Sequence, residues 1–485
     1  MAFINFRQEI RIQSLNTFYL LLVGLTFFAG CNDSGKEKPN IIYILADDLG
    51  YGDLGAYGQE KIKTPFLDQL ATEGMVFTRH YSGSTVCAPS RASLLTGMHT
   101  GHTSVRGNRE IPTEGQFPMA GEDFTLAEML KGQGYNTAAF GKWGLGFIES
   151  SGDPMNQGFD QFFGYNCQRQ AHRYYPKHLW DNQEKVELPG NDGSNKTIYA
   201  HDIIHQRALE FLDHQGDRPF FLYLPYVIPH AELLAPDDSI LQSYLGNFPE
   251  SPYLGVEGSA YGPGWEVRRY CPQPNPHATY AAMVSRLDRD VGAIIKKLKE
   301  MGLAKNTLVI FTSDNGPDYK GGADPDFFNG TRGLRGYKRD LYEGGVRVPM
   351  IAWWPGKIQP SVNDQVSAFW DIMPTVADLV GTSVESDGVS LVPTLFGEEN
   401  QKDHAFLYWE FVSDIERQAV LMDDWKLVKL KNEKGVIKEL YNLEKDPNEA
   451  KDLSNKHPEI VDRLDSLGRA AHTPNEDFPL TMIDE

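Results

Sequence analysis

Three observations predict an α/β fold: a large, mostly parallel sheet flanked by helices, with a smaller C-terminal α+β domain on an antiparallel sheet. The runs Asn40 to Ala46, Pro219 to Val227 and Thr307 to Thr312 are continuously apolar and rich in β-branched and aromatic residues, the pattern of strands buried on both faces. Helical patterns separate these runs, and such alternation builds a parallel sheet. From about Gly381 onward the texture changes to short strand-like pieces divided by charged turns. A chain of 485 residues is long enough for a large core and a second domain.

In chain order, the strand Asn40 to Ala46 stops at Asp47-Asp48-Leu49-Gly50. Thr64-Pro65 opens a helix as N-cap and first position, and Gly74 closes it. In Val86-Cys87-Ala88-Pro89-Ser90-Arg91-Ala92-Ser93-Leu94-Leu95-Thr96-Gly97, Pro89 suits a first helical position and Gly97 the end. Cys87 then sits at the positive end of a helix, with Arg91 one turn in. Thr125 and Glu128 form a capping box for a helix to about Gly132, and Tyr135 to Phe140 is the next strand, ending at Gly141-Lys142-Trp143. Residues 150–195 read as long surface loops. Ile198 to His214 is helical by period, and the strand Pro219 to Val227 ends at Pro229-His230. Roughly forty residues rich in Pro, Gly and Tyr follow, a length typical of a lid or binding surface. A long amphipathic helix runs from about Ala278 to Met301, and the strand Thr307 to Thr312 ends at Ser313-Asp314-Asn315-Gly316. Ala419 to Leu421, Trp425 to Val428 and Glu439 to Tyr441 are the C-terminal strand pieces, followed by a helix from Glu459 to Leu467.

A formal charge of −20 argues against a nucleic-acid partner. At the N-terminus, Arg7 and Arg11 precede an apolar run from Phe18 to Ala29, which reads as a secretory signal over residues 1–30. Ala29-Gly30-Cys31 resembles a bacterial lipobox with Cys31 as the lipid-bearing residue, and residues 31–39 form a polar tether. The expected location is therefore outside the cytoplasm, as a periplasmic or cell-surface lipoprotein held to the membrane only by lipid, or else secreted. Cys167 and Cys271 either form a disulfide or remain free thiols.

Ligands of open α/β sheets bind beyond the carboxyl ends of the strands. Four strand-like runs end in Asp47-Asp48, Lys142, His230 and Asp314-Asn315, which gathers carboxylates, an amide, a lysine and a histidine on one edge with Cys87. The oxygen donors suit Ca²⁺ better than Zn²⁺, with Mg²⁺ as a lesser alternative.

The Cys-x-Pro-Ser-Arg motif followed by Leu94-Leu95-Thr96-Gly97 resembles the type I sulfatases of the alkaline phosphatase superfamily. The resemblance implies that a maturation enzyme converts Cys87 to formylglycine, and that calcium is held by this residue with Asp47, Asp48, Asp314 and Asn315. It also implies that Arg91 supports the nucleophile and that Lys142 and Lys338 bind the sulfate. Lys142 lies in Gly141-Lys142-Trp143-Gly144-Leu145-Gly146, and Lys338 in Gly336-Tyr337-Lys338-Arg339-Asp340-Leu341-Tyr342-Glu343-Gly344-Gly345. His230 is the implied proton donor to the departing alcohol. One hydroxyl of the aldehyde hydrate attacks sulfur, and the second then expels sulfate.

Gly144 departs from the pattern, because many family members carry a histidine there that helps to expel sulfate. His99, His102 or His172 takes its place, or water or a metal-bound oxygen does, or the enzyme is crippled. A phosphonate or phosphodiester hydrolase of the same superfamily and an inactive glycan-binding surface protein are the alternatives. Trp180, Trp265, Tyr174, Tyr175, Tyr270 and the Tyr408-Trp409-Glu410 segment offer flat faces that stack on sugar rings or pack in the core, and Arg106-Gly107-Asn108 adds polar groups. The expected substrate is a sulfated carbohydrate, cleaved at a terminal sugar. Residues 40–380 are expected to carry the chemistry and 381–485 to form the small domain.

Overall fold

The strand Asn40–Asp47 lies at the middle of an eleven-stranded sheet, between the parallel strands Thr307–Ser313 and Phe220–Pro229. All eight of its residues are buried, because successive side chains enter two different cores. Ile42, Ile44 and Ala46 pack under the helices Pro65–Glu73, Ala200–Asp213 and Pro276–Glu300. Ile41, Tyr43 and Leu45 pack under Cys87–Thr96, Leu126–Gly132 and Ile372–Val380. Helices on both faces leave no wet side, so the run is apolar without alternation. The computed structural model describes residues 38–192, 195–255 and 270–484. The expected signal segment, Cys31, the tether up to residue 37, and Trp265 lie outside the described residues.

Beyond Phe220–Pro229 the parallel order continues through Asn136–Lys142 to Gln161–Tyr165. The sheet then turns antiparallel through His178–Asp181 and Glu184–Glu187, and on its opposite side through Arg347–Trp353 and Met75–Tyr81. Residues 150–195, expected as surface loops, therefore carry three strands. Those strands are four or five residues long, too short to show a period beside Gly164 and Asn182.

Other departures are local. The helix after Val86 begins at Cys87, so Pro89 occupies its third position rather than its first, while Gly97 closes it in the left-handed conformation as expected. Thr64 precedes the Pro65–Glu73 helix without capping it, because its hydroxyl accepts from Gly55 N–H and donates to Asp68. The Thr125–Glu128 capping box is present with both of its bonds.

The C-terminal strands Leu407–Phe411, Glu416–Met422, Trp425–Asn432 and Gly435–Asn442 form an antiparallel sheet. One face takes the helix Pro458–Ala470 through Val461 and Leu464. The other packs on Tyr81, Leu341 and Val346 of the main domain. At this junction Lys426, fully buried, reaches Glu343 at 2.8 Å and Glu449 at 3.2 Å, and Tyr81 donates to Glu343 at 2.9 Å. Removing the one ammonium leaves two carboxylates in a dry place. Lys426→Met is expected to lower the unfolding free energy by about 3–5 kcal/mol in urea titrations, and a loss below about 1 kcal/mol would show that the cluster is not a clamp.

Candidate active site

Strand register builds the site. Ala46 pairs with Ser313, so Asp47-Asp48 and Asp314-Asn315 leave the sheet side by side. Asp47 pairs with Pro229, which puts His230 next to them, and Lys142 ends the strand beyond. Asp48 turns at a φ of 63°, and its N–H donates to Asp314 Oδ1 at 3.2 Å. Across this edge the helix Cys87–Thr96 begins. Ser90 Oγ donates to the Asp314 carbonyl at 2.6 Å, and Arg91 donates to Asp314 Oδ2 through Nε at 3.1 Å and Nη2 at 2.8 Å. The loop holding Lys338 is tied down by Lys338 N–H to the Pro317 carbonyl and Arg339 N–H to the Thr85 carbonyl, both at 3.0 Å.

Asp47, Asp48, Cys87, Arg91, Lys142, His230, Asp314, Asn315 and Lys338 are all buried and lie in this one cluster. Lys142 Nζ donates to Asp47 Oδ2 at 2.6 Å, and Lys338 Nζ to Asp48 Oδ1 at 2.6 Å and to Cys87 Sγ at 3.3 Å. Cys87 Sγ lies 3.4 Å from Asp47 Oδ1, Arg91 Nη2 lies 3.3 Å from Asp47 Oδ2, and His230 Nε2 lies 3.4 Å from Asp48 Oδ2. Ligand atoms of Asp47, Asp48, Cys87 and His230 all fall within 4.8 Å of one another.

Burial raises the carboxyls of Asp48 and Asp314, and the neighbouring Asp47 charge adds to it. Burial also works against the Asp47 carboxylate, but Lys142, His230, Arg91 and Lys338 outweigh it and hold that carboxyl below the usual range. Burial and then the Asp47 charge push the Cys87 thiol up to about 12. Burial, followed by the Lys338 charge, takes His230 down to about 3, so its ring is neutral in the free site. Asp48 Oδ2 and Asn315 Oδ1 are buried without a hydrogen-bond partner. Orphaned buried oxygens are costly, and two of them beside three carboxylates make a donor set that fits a hard divalent cation.

The expectations around Gly144 resolve in part. A Cβ built on Gly144, which has a φ of 77°, would meet Gln168 Cγ and Nε2 at 2.8 Å each, so a glutamine fills the space in front of that glycine. Of the three histidines considered, His172 stacks on His230 with ring centres 4.7 Å apart, whereas His99 and His102 pair with Asp387 instead. For several of the candidate aromatics the core alternative holds. Tyr174 stacks on Tyr199, Tyr408 and Trp409 are buried, and Arg106 pairs with Glu410 beneath the C-terminal sheet. Trp180, Tyr175 and Tyr270 are half-buried. Asn108 accepts from Ala88 N–H at 3.0 Å. Cys167 and Cys271 are free thiols. The roles of Ser90 and Gln168 carry no sequence signal, since each is an ordinary residue whose partner lies far along the chain.

The sequence model of the family described as Sulfatase matches residues 39–382, and that described as N-sulphoglucosamine sulphohydrolase, C-terminal, matches residues 333–467. The chain belongs to the sulfatase family. This sulfatase is a sulfuric ester hydrolase, and its fold is that of its structural relatives. It is 28% identical to an N-acetylgalactosamine-6-O-sulfatase of Bacteroides thetaiotaomicron, over 93% of this chain and 98% of that protein. It is 33% identical to human arylsulfatase A, over 78% of this chain and 72% of the relative. The crystal structure of Ps i-CgsB superposes with a TM-score of 0.74 at 28% identity, covering 90% of this chain and 93% of that one, and the same protein has been solved in complex with k-i-k-neocarrahexaose.

With its thiol pushed up to about 12, unmodified Cys87 is protonated at neutral pH and a weak nucleophile. In protein that carries a cysteine thiol at position 87, iodoacetamide labelling of that residue is expected to be slow at pH 8 and still to rise with pH beyond 10. A rate that levels off near pH 8.5 would contradict the assigned environment.

Proposed function

We propose that this sulfatase removes sulfate esters from sugar residues of glycans outside the cytoplasm, with residue 87 in its formylglycine form and a calcium ion beside it. The carrying observation is the convergence of four strand ends and a helix start on residue 87, with two orphaned oxygens among its neighbours. Names of relatives support the substrate class, since one acts on sulfated N-acetylgalactosamine and another binds a carrageenan-type oligosaccharide. Export through residues 1–30, lipidation at Cys31 and modification of Cys87 by a maturation enzyme belong to the same reading. So does a division in which residues 40–380 carry the chemistry and 381–485 support it.

Asp47, Asp48, Asp314 and Asn315 would hold the calcium together with residue 87, whose hydrated aldehyde replaces a sulfur by oxygens and completes an all-oxygen donor set. Bound there, the ion supplies positive charge that favours an ionised hydroxyl and an approaching sulfate. Arg91, fixed by Asp314, keeps a permanent charge near residue 87. Lys142 and Lys338 supply the ammonium groups for the sulfate oxygens, as point charges from two directions. His230 turns Nδ1 to the Ala231 carbonyl, which can only accept, so Nε2 is the atom that faces the leaving oxygen. Burial, with the Lys338 charge added, keeps this ring neutral; an ester sulfate in the site would offset that charge and favour a protonated Nε2, which gives its proton to the departing alcohol.

Matured protein is expected to release sulfate from at least one member of a panel of sulfated hexoses and hexosamines. Chelation is expected to lower both turnover and melting temperature, with calcium restoring both. Cys87→Ala is expected to cut turnover by about a thousandfold or more while the fold melts as before. Release from aryl sulfates alone would remove the sugar reading, and full activity in Cys87→Ala would remove the chemistry.

A further inference from the structure

Just outside the cluster, Lys338 and Arg339 part company. Lys338 is buried on the floor of the site, but Arg339 adopts a φ of 82° and turns its guanidinium to the half-exposed rim, where Nη1 and Nη2 each donate to Asp318 at 3.0 Å. A left-handed arginine is a strained conformation, and here it is held by the bond from its own N–H to the Thr85 carbonyl. Asp318 is nearly inaccessible and further fixed by the N–H groups of Tyr319 and Lys320 at 2.9 and 3.3 Å. The pair borders the site, since Arg339 directly follows Lys338, whose N–H is bonded at 3.0 Å to the carbonyl of Pro317, the residue before Asp318. No residue of the mechanism above uses it.

We propose that Arg339, aimed by Asp318, donates hydrogen bonds to a free hydroxyl of the sugar ring that carries the scissile sulfate, and that this ring is a neutral sugar rather than a uronic acid or a doubly sulfated residue. The inference rests on the sugar reading and narrows it. Two of the guanidinium's N–H groups are committed to Asp318, and the others have no protein partner among the described residues. An arginine meant for a second anion presents uncompensated charge in a fork that fits a carboxylate or sulfate. Here the fork is already occupied and the charge cancelled by a buried carboxylate, so what remains at the rim is a rigid set of neutral-pair donors, suited to a hydroxyl oxygen. The position also fits: Arg339 is the residue after Lys338, whose ammonium lies 3.3 Å from Cys87 Sγ, so its guanidinium stands at the rim next to the group assigned to the sulfate.

The test compares kcat/KM of matured wild-type protein, Arg339→Gln and Arg339→Lys on the best sulfated monosaccharide of the panel, on its singly deoxygenated analogues, and on 4-nitrophenyl sulfate, which offers no hydroxyl. Both variants are expected to lose at least about tenfold more on the sugar than on the aryl ester, since a lysine cannot span both Asp318 oxygens. One deoxy analogue is expected to cost the wild type about tenfold and the Gln variant nothing. Equal losses on sugar and aryl ester, no loss on either, or a wild-type preference for a uronic acid or doubly sulfated ring would overturn the assignment of Arg339. A wild type that cleaves the aryl ester and no sulfated sugar would overturn the sugar reading itself, and this inference with it.

Discussion

Three carboxylates, those of Asp47, Asp48 and Asp314, share one dry place at the edge of the main sheet, and the rest of the site answers that constraint. Carboxylates so close cannot all remain ionised without compensation. Arg91, Lys142 and Lys338 supply it through contacts of 2.6 to 3.3 Å, and each comes from a different element: the helix after Val86, the strand Asn136–Lys142 and the loop before Glu343. Compensation is still incomplete, because two carboxyls stay raised and two oxygens find no donor. Such oxygens would suit a hard cation, whose charge would add to that of Arg91, Lys142 and Lys338 where an anion would approach.

The same constraint decides what residue 87 is able to do. A thiol out of water and beside Asp47 is held protonated, so the burial and carboxylate charge that define this place also disable a plain cysteine as a nucleophile, against the opposing pull of Lys142 and Lys338. An oxygen nucleophile in its place joins the hard donors instead of opposing them. His230 shows the complementary effect: burial and the Lys338 charge keep its ring neutral, and in the proposed reaction an anion offsetting that charge would let it carry a proton.

The central strands and the polar residues at their ends were legible in the sequence because burial on both faces writes a continuous apolar run, and because the break in that run marks the catalytic edge. The capping box at Thr125 was legible for a local reason, two side chains three residues apart. What lay beyond reach was set by distance along the chain. Strands of four or five residues after residue 160 take their order from neighbours in the sheet rather than from their own period. Tyr408 and Trp409 read equally as platforms or core until both faces of the strand that carries them are seen to be covered. Gln168 comes to fill the space before Gly144, and Arg339 to pair with Asp318, through contacts that span many residues of chain.

If the carboxylate cluster does exclude a thiolate at residue 87, the working enzyme must carry something else there. The most direct measurement is mass spectrometry of the peptide containing residue 87, taken from fully active protein made in its natural host and treated with an aldehyde-trapping hydroxylamine. The account predicts an aldehyde that forms the oxime. An unmodified thiol in that active preparation would contradict it.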